Sequence, residues 1–252
     1  MAFLDWLDCY QDYPEPLPLI GDKGYQVVDL VTGDVSATKG MRHVHEGSYS
    51  TKLTIKVSGN RLSFSGNPSV YGRLDNLFGF SSLDECFSVF NRVCLSLDLP
   101  AFTKCTKLWH LDGEDGSKAA THTDGAVITR LDVTTNKAVG QSNESQYLRA
   151  LSMLPFGNAV PHLYANGNTV DWKNKQGKSM QDYYFKVYSK ANQIRDLSLF
   201  KAVKKYGKTS SEVSYLQSVI DFCSTYGVCR FEQELKWLPQ KKPSQLLGLI
   251  FT

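Results

Sequence analysis

The stretch Asp182-Tyr183-Tyr184-Phe185-Lys186-Val187-Tyr188-Ser189-Lys190 decides the reading of this chain. It alternates with period two and ends in Tyr-x-Lys. As a strand it puts Tyr184, Lys186 and Tyr188 on one face and Tyr183, Phe185 and Val187 on the other. A half-buried strand with an aromatic face accounts for most such segments. A tyrosine beside Lys186 and Lys190 is also a candidate nucleophile toward a phosphodiester. Ammonium groups there stabilise a phenolate and attract a phosphate.

Two further segments share the design. In Ala126–Thr134, Ile128, Arg130 and Asp132 point one way, and Val127, Thr129, Leu131 and Val133 the other. In Val228–Trp237, Arg230, Glu232 and Glu234 share a face opposite Cys229, Phe231, Leu235 and Trp237. One apolar face per strand is the ordinary pattern of an antiparallel sheet. A surface ion-pair ladder explains either Arg-x-acid motif taken alone.

Taken together and in order, these pieces resemble the gene II / gene X rolling-circle replication initiators of filamentous phages. The pieces are Gly66-Asn67-Pro68-Ser69, Asp75-Asn76-Leu77-Phe78-Gly79, Arg130-Leu131-Asp132, Lys186-Val187-Tyr188-Ser189-Lys190 and Arg230-Phe231-Glu232. They run from about residue 45 to about residue 237. Leu74-Asp75 stands where that family usually has Gly-His. The resemblance implies an HUH-nuclease-like nickase that attacks an origin through Tyr188 and forms a covalent 5′-phosphotyrosine. It carries the family's Arg-x-acid positions over to Arg130, Asp132, Arg230 and Glu232. It also implies a host replication helicase and polymerase as partners, beside single-stranded origin DNA.

The chemistry narrows the roles. A phenol with a pKa near ~10 is a weak nucleophile at neutral pH. A divalent metal, magnesium or manganese, can polarise a scissile phosphate and prefers oxygen or imidazole ligands. The resemblance implies Asp132 and Glu232 as the carboxylates of such a site. His43-Val44-His45 fits the His-apolar-His pattern, with both imidazoles on one face of a strand. Chance produces that pattern often. Arg130 and Arg230 are candidate phosphate ligands. Asn67 and Asn76, in loops between strand and helix, are candidate DNA contacts, although turn chemistry explains both loops.

Composition bounds the remainder. With 252 residues, 42% of them hydrophobic, the chain can bury a proper core as one nuclease domain spanning 1–252. The repeated strand-helix-strand around the Arg motifs hints at two related halves, about 20–140 and 141–245. A net charge of +3 does not by itself announce a nucleic-acid partner. The distribution says more: Lys173 to Lys208 holds ten cationic side chains against Asp182 and Asp196, interleaved with aromatics. Cations follow a phosphate backbone and aromatics stack on unpaired bases. The six cysteines show no zinc spacing and read as buried thiols of a reducing compartment. No stretch is long and apolar enough to span a membrane, and Met1 to Asp12 does not look like a signal. The cytoplasm of the host bacterium is the expected location.

The coarse element order is strand, hairpin, helix, then strands alternating with helices. It predicts an α+β fold, an antiparallel sheet with helices mainly on one face. Strands are expected at Tyr25–Leu30 and Thr169–Trp172, and a hairpin over 52–64 that turns at Gly59-Asn60. Helices are expected after Ser82-x-x-Glu85, over 145–154 and over 211–226. Asp112–Gly116 reads as a loop, and Leu246–Phe251 as an apolar run of unassigned role. The alternative function is a non-catalytic single-stranded or origin DNA-binding protein using the same basic face.

Overall fold

The computed structural model describes residues 2–21, 24–35, 39–40, 42–46, 52–111, 120–178 and 183–236. Asp112–Gly116, Asp182, Trp237 and the run from Leu246 to Phe251 lie outside the described residues. Strands β1 (Ala2–Asp12), β2 (Gly24–Tyr25), β3 (Lys39–Gly40), β4 (His43–Glu46), β5 (Lys52–Ser58) and β6 (Arg61–Gly66) precede helix α1 (Leu83–Ser96). Strands β7 (Leu108–Leu111), β8 (Ala120–Thr123) and β9 (Val127–Ala138) lead to α2 (Glu144–Leu151). Then come β10 (Val160–Leu163), β11 (Thr169–Lys173) and β12 (Tyr183–Ser189). Helix α3 (Lys190–Gln193), a π-helical turn (Ile194–Leu199), α4 (Phe200–Tyr206), α5 (Ser211–Tyr226) and β13 (Val228–Lys236) complete the order.

Nine strands form one sheet in the order β10-β11-β12-β13-β9-β1-β6-β5-β4, with antiparallel neighbours, so the fold is α+β. The chain divides into two compact units. Among the described residues, the first draws on 2–5, 72–82 and 131–236; the second on 6–71 and 83–130. They interleave in sequence.

In the first unit, adjacent residues of β13 serve different cores. Cys229 joins Val170, Trp172 and Val187 under Leu148 of α2. Val228 joins Ala191, Ile194, Leu216, Ile220 and Cys223 of the α3–α5 segment. Period-two alternation dictates this division. Helix α5 begins at the Ser210 cap, whose side chain accepts from Val213 N. It ends at Gly227 in the left-handed region, φ 58°, the conformation glycine adopts most cheaply.

In the second unit the expected hairpin forms: β5 and β6 flank Gly59-Asn60, with Gly59 at φ 63°. Leu53, Ile55, Val57, Leu62 and Phe64 are buried on one face. Full burial of such a side chain contributes roughly 1.5–3 kcal/mol. Phe64 packs on Phe90 of α1 and on Phe102, with ring centroids 4.8 and 5.6 Å away.

Four local expectations change. The Tyr25–Leu30 strand shrinks to Gly24–Tyr25 and a bridge at Val28. Its apolar residues are exposed, and Asp29 Oδ1 turns the chain by accepting from Val31 N and Thr32 N. The N-terminal segment is instead the long strand β1, buried at Phe3, Asp5, Leu7, Cys9 and Gln11. Strand β10 was not foreseen; it carries Pro161 and is only four residues long. Lys190 does not extend β12 but opens α3, because Ser189 caps that helix by accepting from Asn192 N.

Candidate active site

The strand register of the first unit builds the site. β12 and β13 set Tyr188 opposite Arg230, Lys186 opposite Glu232 and Tyr184 opposite Glu234. Directly opposed residues share a sheet face. The Tyr188 hydroxyl donates to Glu232 Oε2 at 3.0 Å, and Lys186 Nζ lies 2.8 Å from Glu232 Oε1. One carboxylate thus holds the phenol and the ammonium at once. Burial pushes the Tyr188 phenol well above its usual range; the Glu232 charge adds to this and Arg230 opposes it. The phenol is therefore a proton donor at rest. Burial first, and then the Glu232 charge, oppose the phenolate that neighbouring lysines would favour.

Behind this pair sits an internal polar network. Arg230 is fully buried. Its guanidinium donates to Asn136 Oδ1 at 3.0 Å and to the carbonyls of Asn76 and Leu77, and lies 3.5 Å from Asp5 Oδ2. Asn76 donates to both Asp5 oxygens, at 2.9 and 3.2 Å. The Asn76 side-chain oxygen accepts from Lys190 Nζ at 2.6 Å, and Gln193 Oε1 accepts from the same ammonium at 2.7 Å. Burial pulls the Lys190 amine down to about 7, and the neighbouring Arg230 charge adds to the shift. Such a network fixes the Asn76-Leu77 loop over β13.

The sequence candidates therefore separate. Tyr188, Lys186 and Glu232 meet. Arg230, Asn76 and Lys190 meet too, but their polar atoms face each other within the protein. Asp132 is 2% exposed on β9. In the second unit, Arg130 lies over the Trp6 ring at 5.3 Å. There too, Asn67 Oδ1 accepts from Ser69 N at 2.9 Å, as the cap of a short turn. His43 and His45 occupy alternate positions of β4, opposite Ile55 and Leu53. His45 Nε2 is 3.3 Å from the Tyr71 hydroxyl. Burial and the His43 charge lower the His45 pKa.

Magnesium and manganese need several converging ligands. Among the described residues, no group of three or more His, Cys, Asp or Glu side chains could hold a metal. Asp132 and Glu232 belong to the first unit, and His43 and His45 to the second.

Two contributors escaped sequence reasoning. Asp5 lies in a segment without a motif, and only its alternation with Phe3, Leu7 and Cys9 marks it as inward. Asp171 sits between Val170 and Trp172, beside Lys186 in register. The signal for it was a lone acid inside an apolar strand.

The chain matches, over residues 6–237, a family model that describes the N-terminal region of the phage gene II replication-associated protein. It is 44% identical over 184 residues to the gene II replication-associated protein of Escherichia phage If1, covering 73% of this chain and 57% of that one. The chain thus spans little more than half the length of that relative. A solved rolling circle replication initiator protein from Geobacillus stearothermophilus aligns over 99% of this chain and 78% of its own, at 11% identity and a TM-score of 0.33.

Proposed function

The chain belongs to the family defined by the N-terminal region of the gene II replication-associated protein, and from that membership we propose that it nicks and rejoins one DNA strand at a replication origin to start rolling-circle replication. The observation that carries the chemistry is the hydrogen bond from Tyr188 to Glu232 beside Lys186. Tyr188 Oη attacks the scissile phosphorus, and its proton passes to Glu232. The Oη–P bond forms as the P–O3′ bond breaks, and the departing 3′ oxygen takes a proton from water. A 5′-phosphotyrosine remains. It keeps the phosphoester bond, so a later 3′-hydroxyl can displace Tyr188 and reseal the strand.

Glu232 acts as the general base, which suits a phenol whose pKa is raised. Lys186 holds that carboxylate in place and lends positive charge to the phosphate. Arg230, Asn76, Asp5 and Lys190 act one layer back by fixing the loop and strand that carry the reacting groups. The magnesium or manganese requirement, the host helicase and polymerase, and work in the host bacterial cytoplasm belong to this reading through the family. Among the described residues, no helix is long and apolar enough to cross a membrane.

The test is a nicking assay. The chain is mixed with single-stranded fragments of its own replicon's origin, with and without magnesium or manganese. A denaturation-resistant protein–DNA adduct is sought on a gel. An adduct formed by the wild type and absent in Tyr188→Phe supports the tyrosine nickase. Tight, salt-sensitive binding without an adduct would replace it with a non-catalytic single-strand binder.

A further inference from the structure

The second unit carries a polar sheet face that the Tyr188 chemistry does not use. In β1, Leu7, Cys9 and Gln11 are buried, while Trp6, Asp8 and Tyr10 on the other side keep partial exposure. The register extends that side across the sheet. Asp8 pairs with Ser65 and Ser65 with Thr54; Tyr10 pairs with Ser63 and Ser63 with Lys56. Leu53, Ile55, Leu62 and Phe64 fill the opposite face, where Phe64 meets Phe90 of α1. Period-two alternation thus separates a covered apolar face from a polar one.

Two aromatic rings belong to the polar face, each with a guanidinium over it. Arg61 Cζ stands 4.1 Å from the centre of the Tyr10 ring, and Arg130 Cζ 5.3 Å from that of Trp6. Both pairs are held in place. Arg61 donates to the two Asp12 oxygens at 2.6 and 2.8 Å, and Trp6 Nε1 donates to Asp8 Oδ1 at 2.6 Å. Unpaired bases stack on aromatic rings and on guanidinium planes alike. The two rings are four residues apart on one strand, about 13 Å.

Between them along β1, at Asp8, opens a cleft of about 240 Å³. Thr54, Ser63 and Ser65 line it, together with Arg42 and Lys56. Both cations are exposed, and among the described residues neither has an ion-pair partner. Asp8 would repel an anion, but its Oδ1 already accepts from Trp6 Nε1 and from Ser65 Oγ at 2.5 Å. Across the cleft and the two stacks, Arg42, Lys56, Arg61 and Arg130 outnumber Asp8 and Asp12. That excess complements a phosphate backbone, whose usual ligands are arginine, lysine and hydroxyl side chains.

We propose that this face holds a single strand of nucleic acid. One base stacks at Trp6 and Arg130, another at Tyr10 and Arg61, and the phosphates between them lie in the cleft at Arg42 and Lys56. A duplex fits less well: its major groove admits a helix or a two-stranded ribbon, not a flat three-stranded face, and its paired bases offer no ring face. The face rests on the nickase reading for its substrate and adds to it a grip on the strand apart from bond making.

The test is fluorescence anisotropy of a labelled oligothymidylate with the intact chain over a range of salt, for wild type, Arg42→Gln, Lys56→Gln and the double variant. Oligothymidylate carries no origin sequence, so it reads the grip and not recognition of a nick site. Each cation that meets a phosphate of a single strand contributes about 0.7 to the slope of log affinity against log salt. The double variant should lower that slope by about 1.4 and the affinity by about tenfold. Adduct formation on a saturating origin strand should stay at the wild-type rate. Cross-linking of a strand bearing 5-bromouracil to the wild type should mark Trp6 or Tyr10, a readout that needs no variant to fold. Wild-type slopes in the folded variants, or cross-links confined to other residues, overturn the face alone. A duplex bound as tightly as the single strand overturns the single-strand assignment. No adduct from the wild type, with the slopes and cross-links as expected, overturns the nickase reading and leaves the face standing.

Discussion

Tyr188 and Glu232 stand diagonally across two antiparallel strands, and the phenol donates to the carboxylate across 3.0 Å. On the proposed mechanism, the pairing gives the proton a destination before any substrate arrives. In Glu232→Gln the amide oxygen can still accept the hydroxyl, but it cannot take its proton. Adduct formation should fall about a hundredfold or more, the scale of a lost general base, while binding of the same oligonucleotide changes little. Denaturing gels and fluorescence anisotropy measure the two separately. A wild-type rate in Glu232→Gln would remove the base assignment. Recovery of the variant by excess manganese would assign Glu232 to a metal instead.

The polar face proposed to react was legible because alternation writes it out. Tyr184, Lys186 and Tyr188 recur at every second position, as do Arg230, Glu232 and Glu234, and the structure sets them opposite each other. What alternation cannot show is which polar residues on that face are enclosed. Arg230 read as a phosphate ligand, yet Asp5, Asn76, Leu77 and Asn136 enclose it, from segments 94 or more residues away. Strand β1 stayed hidden for the same reason. Its inward Asp5 and Gln11 look like solvent residues until Asn76 and Thr103 are placed beside them. Asp171 needed the strand order as well, since its hydroxyl partners Tyr164 and Tyr184 come from either side of it.

Lys190 offers a pH signature. Its amine falls from the ordinary 10.5 to about 7 in the folded protein. Between those values the unfolded chain holds a proton that the folded chain has released. Stability should therefore rise with pH above about 7, by up to about 1.4 kcal/mol per unit. Burial raises the Cys86, Cys94 and Cys229 thiols to about 12 from 9.0, which carries the opposite sign at higher pH. Urea unfolding between about pH 7 and 8.5 isolates the lysine. The rise should be present in the wild type and absent from Lys190→Met. A flat wild-type profile would mean that the buried amine stays charged.

Gly227 tests the turn that delivers β13. A methyl group there would run into the Gly140 carbonyl, in backbone at φ +58°. Both the contact and the left-handed conformation oppose a side chain. Gly227→Ala should destabilise by about 2 kcal/mol or more, read as a lower urea midpoint with an unchanged slope. A cost below about 1 kcal/mol would show that the α5–β13 turn relaxes freely.

Arg230 separates a positioning role from a DNA contact. Its guanidinium serves Asn136 and two loop carbonyls, and faces Asp5, all within the first unit. Arg230→Ala leaves those acceptors buried without their donor and should cost about 3–5 kcal/mol. Arg230→Lys keeps the charge but not the planar fork, so it should recover only part of that loss. If Arg230 instead held a phosphate, removing its charge would flatten the dependence of log binding constant on log salt by about one unit. Arg230→Met, measured at a temperature where it remains folded, should keep the wild-type salt slope. Lys186→Met, at a half-buried site near the surface, should lower that slope. A reduced slope for Arg230→Met together with wild-type stability would make Arg230 a DNA ligand and leave the Asn76-Leu77 loop to be held by Lys190 and Asn136.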